Sequence, residues 1–127
     1  MNIIQFRNLY REALSSKLEL NEIDLIYKKL LNSFFKLEST VVGLNPQMDL
    51  SSKQEKKLNN ALLLIHDDCP LQYVIGNSPF LDFEVYVDPN VLIPRPETEE
   101  LVNWILKSCK NGQNIFDLCT GSVCIAL

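Results

Sequence analysis

The sequence has little of several things. Among its 127 residues are four glycines, one histidine and one tryptophan. Its four cysteines, Cys69, Cys109, Cys119 and Cys124, form no C-x-x-C pair, and His66 lies far in sequence from three of them. Zinc sites need clustered ligands at short spacing, so no metal site is expected. The cysteines are read as reduced and packed like small apolar residues. No apolar run reaches the ~18 residues of a membrane-spanning helix, so no membrane partner is expected. The stretch MNIIQFRNLYREAL mixes charged and apolar residues and lacks the unbroken apolar centre of a signal peptide. A cytoplasmic location is the expectation. A basic face is missing too. Residues 1–76 carry nine basic and nine acidic side chains, and residues 77–127 carry three basic and seven acidic ones, which accounts for the net −4. That balance argues against direct, charge-driven binding of nucleic acid.

What is present is a soluble globular composition, 46% apolar and 22% charged. The first 68 residues have helical periodicity. Ile3, Ile4, Phe6, Leu9, Tyr10, Ala13 and Leu14 fall near one face. Asn21, with Asp24 three residues on, predicts the start of a second helix striped by Ile23, Ile26, Leu30 and Phe34. Leu37 to Val42 is expected to form a short third helix, ended by Gly43 and Asn45-Pro46. Ser52 and Glu55 fit a capping box for a fourth, with Leu58, Leu62 and Ile65 inward. After Pro70, PLQYVI predicts about one further turn, stopped at Gly76.

The period then changes. Leu81, Phe83, Val85 and Val87 alternate with Asp82, Glu84 and Tyr86, the two-residue repeat of a strand, and NSPFLDFEVYV is short enough for a β-hairpin. Asp88-Pro89-Asn90 turns the chain. A helical period returns with Leu101, Val102, Ile105 and Leu106 and ends at Asn111-Gly112. NIFDL is a buried-strand candidate, and CTGSVCIAL is expected to turn at Gly121 and enter a helix. The fold class is therefore mainly α: a helical bundle over 1–75, a β-hairpin linker over 76–94, and over 95–127 the beginning of a Rossmann-like α/β domain. One parallel strand makes no sheet, so the sequence is read as the front of something longer.

Two stretches can carry chemistry. In DLCTGSVCIAL, a strand ending in Asp117 followed by small residues and a helix start is how nucleotide-like cofactors are cradled. A purely structural turn would look the same. Position 123 is Val where a third glycine would allow close backbone approach. In VLIPRPETEELV, Pro96 suits the first position of a helix, and Glu97, Glu99 and Glu100 suit its dipole. Arg95 is held between two prolines that restrict the backbone. Either it pairs with Glu99 or an acid of the linker, or it is aimed at a ligand.

Taken together, PLQYVIG, the Phe80-to-Val85 spacing, IPRPETE (Ile93 to Glu99) and DLCTGS resemble, in order and spacing, the HemK/PrmC family. These methyltransferases modify the glutamine of the Gly-Gly-Gln loop of peptide-chain release factors. The resemblance covers essentially the whole chain and implies a helical domain joined by a hairpin to a class I S-adenosylmethionine-binding domain. It implies cofactor contacts by Asp117, Cys119, Thr120, Gly121, Ser122 and Val123, with Arg95, Pro96, Glu97, Thr98 and Glu99 flanking the site. It implies release factors as partners and the helical part as their recognition domain.

Departures from the family pattern are equally definite. The family has Gly where Val123 stands. The acidic residue that would hold the cofactor ribose falls beyond Leu127, and the catalytic Asn-Pro-Pro-Tyr is absent, since Asn45-Pro46 is followed by Gln47-Met48. No catalytic residue is therefore assigned, and these residues alone are expected to be inactive and to bind the cofactor weakly or not at all. The alternative is a non-catalytic helical protein-binding module, a truncated remnant of such an enzyme. His66, beside Asp67 and Asp68, is read as a helix-end cation. Tyr73 and Phe80 are read as linker core, and Lys53, Lys56 and Lys57 as a solvated face.

Overall fold

A computed structural model describes residues 1–127, the side chain of Val41 excepted. About half of the residues are helical, and the one sheet among the described residues is a two-stranded antiparallel hairpin. The chain divides into two compact units, Met1–Ile75 and Gly76–Leu127.

The first unit is built on three helices, α1 (Ile3–Leu14), α2 (Leu20–Phe35) and α4 (Ser52–His66), with short α3 (Ser39–Leu44) and α5 (Leu71–Ile75). Each long helix buries one stripe: Ile3, Phe6, Tyr10 and Leu14; Ile23, Tyr27, Leu30 and Leu31; Leu58, Ala61, Leu62 and Ile65. These residues form one cluster with Leu50. Tilted rings of Tyr10 and Tyr27, 5.1 Å apart, join α1 to α2 within it. Asn2 caps α1 in a capping box with Gln5. Arg11 grips Asp24 with two bonds, Nε to Oδ1 at 2.8 Å and Nη2 to Oδ2 at 2.5 Å. That pair holds the Asp24 carboxyl below the usual carboxylate range, chiefly through the hydrogen bond.

Three helix starts differ from the sequence expectation. α2 begins at Leu20 after Glu19, not at an Asn21 cap, and Asp24 is engaged by Arg11. α3 begins at Ser39, and Gly43 lies inside it. Leu37 closes α2 instead, its N–H reaching the Leu31 carbonyl at 3.4 Å behind a left-handed Lys36. The capping box of α4 uses Ser51 and Gln54 rather than Ser52 and Glu55, and Glu55 pairs with the Met1 ammonium.

In the second unit, Gly76 at φ 88° leads into β1 (Asn77–Phe80), which pairs with β2 (Phe83–Tyr86). Ser78 faces Val85 and Phe80 faces Phe83 across the ladder. Ser78, Phe80, Val85 and Val87 are buried, while Glu84 and Tyr86 are exposed. Leu81 does not join that face as its alternation predicts. It is the first of two turn residues and holds φ 52°, a conformation that costs a side-chain-bearing residue roughly 1–2 kcal/mol. Asp88 Oδ1 accepts the Asn90 N–H at 2.8 Å and so forms the expected turn.

α6 (Pro96–Ser108) starts with Arg95 as its cap and Pro96 at its first position. It ends at Ser108, three residues before the predicted stop at Asn111-Gly112. Of its expected stripe only Val102 is buried. Leu101, Trp104 and Leu106 are exposed. NIFDL is not a strand, and Ile115, Phe116 and Leu118 are exposed. A strand needs a neighbour to receive its main-chain hydrogen bonds, and the described residues offer this segment none. Residues 119–127 turn but do not enter a helix.

Candidate functional site

The Pro94–Glu99 stretch is an ordered entry to α6. The N–H of Thr98 donates to the Arg95 carbonyl at 3.0 Å, which closes the first turn. Arg95, Pro96 and Glu97 are exposed, and Thr98 and Glu99 are half-buried. Among the described residues Arg95 makes no ion pair, so of the two alternatives the salt bridge to Glu99 or a linker acid is not formed. Glu99 turns elsewhere: its Oε1 accepts the main-chain N–H of Leu81 at 3.0 Å. Leu81 was not legible as a participant, because the contact uses a main-chain group that every residue but proline carries.

The Asp117–Val123 stretch is built differently from a cofactor cradle. Positive φ recurs at alternate residues, Cys119 (63°), Gly121 (54°) and Val123 (66°). Gly121 suits that region; a β-branched valine does not. The Val123 N–H, which a cradle needs free for its ligand, donates to the Thr120 carbonyl at 2.8 Å. Asp117 is half-buried, and its Oδ2 has no hydrogen-bond partner. Cys119 and Thr120 are exposed, and Ser122 is half-buried. With no strand before the turn and no helix after it, the segment lacks the row of free N–H groups that binds a nucleotide-like ligand. As folded here, these residues do not fit S-adenosylmethionine. No hydrogen bond or ion pair among the described residues joins this stretch to Pro94–Glu99.

The helical unit holds a feature that periodicity did not reveal. A cleft of about 680 Å³ lies beside α2 and the ends of α1 and α4, with Leu18, Leu25 and Ile26 beside Lys17, Glu22 and Lys29. Lys17 is fixed at one end by the His66 carbonyl at 2.6 Å and by Asp68 at 3.0 Å. Among the described residues, no three His, Cys, Asp or Glu side chains group as metal ligands. No helix among them is long and apolar enough to cross a membrane.

No family model matches the chain. Curated relatives do. It is 38% identical, over its whole length, to a protein of Flavobacterium psychrophilum, of which it spans 46%. It is 34% identical over 96% of its length to one of Streptococcus pneumoniae, spanning 43% of that protein. A third, from Leptospira interrogans, is 33% identical over 91% of the chain, which spans 42% of it. All three are methyltransferases by name. Each is called release factor glutamine methyltransferase, and the chain matches a fragment of that family, HemK/PrmC. It spans less than half the length of the relatives it matches.

Proposed function

We infer that this chain supplies the recognition part of a protein-(glutamine-N5) methyltransferase. The activity of the whole protein is methylation of the glutamine side-chain amide in the Gly-Gly-Gln loop of release factors, with S-adenosylmethionine as donor, in the cytoplasm. Residues 1–75 are the substrate-recognition domain, 76–94 the hairpin linker, and 95–127 the opening of the cofactor domain. Arg95, Pro96, Glu97, Thr98 and Glu99 flank the active site. Asp117 and Cys119 to Val123 belong to the cofactor loop once the rest of the α/β sheet surrounds them. The observation that carries this is the 38% identity along the whole chain, helical unit included, to a protein named for the activity.

An amide nitrogen is a weak nucleophile, so its reaction depends on positioning and on acceptors for its N–H groups. The 127 residues hold no Asn-Pro-Pro-Tyr to provide them. A second reading, a non-catalytic module that binds a partner, is favoured by one observation: residues 109–127 form neither strand nor helix. Calorimetric titration with a purified release factor tests what the two share. Saturable one-to-one binding is expected, and its absence at high micromolar concentration refutes the recognition role. Adding the remaining family half as a separate polypeptide then separates them, since only the enzyme reading expects methylation to appear.

A further inference from the structure

Glu97 and Glu99 both lie in the first turn of α6, where an acid favours the helix dipole. They differ in what they reach. Glu97 is exposed, whereas Glu99 crosses 18 residues of chain to the turn of the β1–β2 hairpin and accepts the Leu81 N–H at 3.0 Å in a part-buried setting. Leu81 needs such a partner. It holds φ 52°, a region that disfavours a leucine. Among the described residues its N–H finds no partner in the two-stranded ladder, which ends at the Phe80–Phe83 pair. A carboxylate acceptor makes the bond charge-assisted, and so stronger than a neutral one.

We propose that Glu99 is a positioning residue: its carboxylate clasps the hairpin turn to the first turn of α6, so that hairpin and Pro94–Glu99 stretch present one fixed edge to the release-factor segment. The second half of that statement rests on the function inferred above. The prolines and the acid divide the work. Pro94 and Pro96 restrict the backbone on either side of Arg95 and so fix how the chain enters the helix. Glu99 fixes the hairpin to that entry. Phe80 and Phe83, with ring centroids 5.7 Å apart, bracket the clasped turn.

Amide hydrogen exchange of the 127-residue chain, read residue by residue by NMR, tests the clasp without any partner. Glu99→Ala should speed exchange at Leu81 by about tenfold or more, while the amides of α1, α2 and α4 keep their rates. Glu99→Gln retains an oxygen acceptor on the same stem and should restore most of the protection. Titration with a purified release factor should follow the same order, weakened by Glu99→Ala and largely recovered by Glu99→Gln. Unchanged Leu81 exchange in Glu99→Ala overturns the proposal. So does an equal loss of protection throughout the helices, which would make Glu99 a general stabiliser. Binding lost in both variants while Glu99→Gln keeps Leu81 protected would also overturn it, in favour of direct contact with the partner. If the unsubstituted chain binds no release factor, the inferred function fails, and Leu81 exchange still decides for or against the clasp.

Discussion

The hydroxyl of Tyr10 donates to the main-chain carbonyl of Leu58 at 2.6 Å, tying α1 to α4 in the interior of the helical unit. The neighbouring Tyr27 does the same for the start of α1, donating to the Ile3 carbonyl at 3.0 Å. Two phenols thus combine apolar burial with satisfied polar tips. Tyr10→Phe removes one donor and leaves the ring in place. It should cost about 1 kcal/mol, read as a lower denaturant midpoint at constant m-value. A drop beyond about 3 kcal/mol would mean that the ring itself shifts.

The same two residues set an alkaline limit. Burial raises both phenols above their ordinary value of 10; the Tyr27 phenol adds to the effect on Tyr10, and Arg7 opposes it at Tyr27. The folded chain then holds these protons where the unfolded chain has released them. Their contribution is complete below pH ~10 and is lost as pH rises beyond it. Two such protons give a slope of at most about 2.7 kcal/mol per pH unit. Denaturant titrations between pH 9 and 11 should show stability falling, and Tyr10→Phe should remove roughly half of the slope. A flat profile would contradict burial of the two phenols.

Residues 1–75 should fold without the rest. Every member of the main buried cluster, from Ile3 to Ile65, lies within that span. Isolated helices of this length are marginal, and burial of their stripes against one another makes them cooperative. A 1–75 fragment should give a helical circular dichroism spectrum and a single sigmoidal melt. A shallow, featureless melt would show that the core depends on residues beyond 75.

How far the sequence revealed the fold depended on where the deciding contacts lay. The stripe Leu58, Leu62 and Ile65 was legible because a helix buries one face and the period reports it. The cap at Ser51 was missed by one residue: Ser51–Gln54 and Ser52–Glu55 both fit the pattern, and Gln54 makes the box while Glu55 meets the Met1 ammonium. NIFDL has the composition of a buried strand, but composition cannot supply neighbouring strands. At the candidate site, the entry of α6 at Pro96 was legible from proline and acid placement. The Leu81–Glu99 bond was not, because its donor is main chain.

The purified 127-residue chain should not methylate a release factor. The Asn-Pro-Pro-Tyr to which the inferred function assigns polarisation of the amide is absent from these residues, and in the turn after Asp117 the Val123 N–H is taken up by the Thr120 carbonyl. Incubation with labelled S-adenosylmethionine and release factor should leave the Gly-Gly-Gln glutamine at background. Label above the level without the chain would show that residues already present do the chemistry.

S-Adenosylmethionine should bind the chain weakly or not at all, and Val123→Gly should not rescue it. Val123 sits at φ 66°, so removing its side chain relieves a conformation that costs roughly 1–2 kcal/mol. Glycine also gives up more chain entropy on ordering, roughly 0.5–1 kcal/mol. The net gain is small, and it acts on the turn rather than on the ligand. The Val123 N–H stays with the Thr120 carbonyl, Asp117 still has no strand to hold it, and no second strand brings an acid to the ribose. The missing sheet therefore decides the outcome, because a site open to water on that side gains little from any single turn residue. Calorimetric titration of both forms with the cofactor should show no saturable heat. Micromolar binding by the unmodified chain would overturn this and would point to self-association or another segment as the missing wall. Binding by Val123→Gly alone would make the valine, rather than the absent sheet, the barrier.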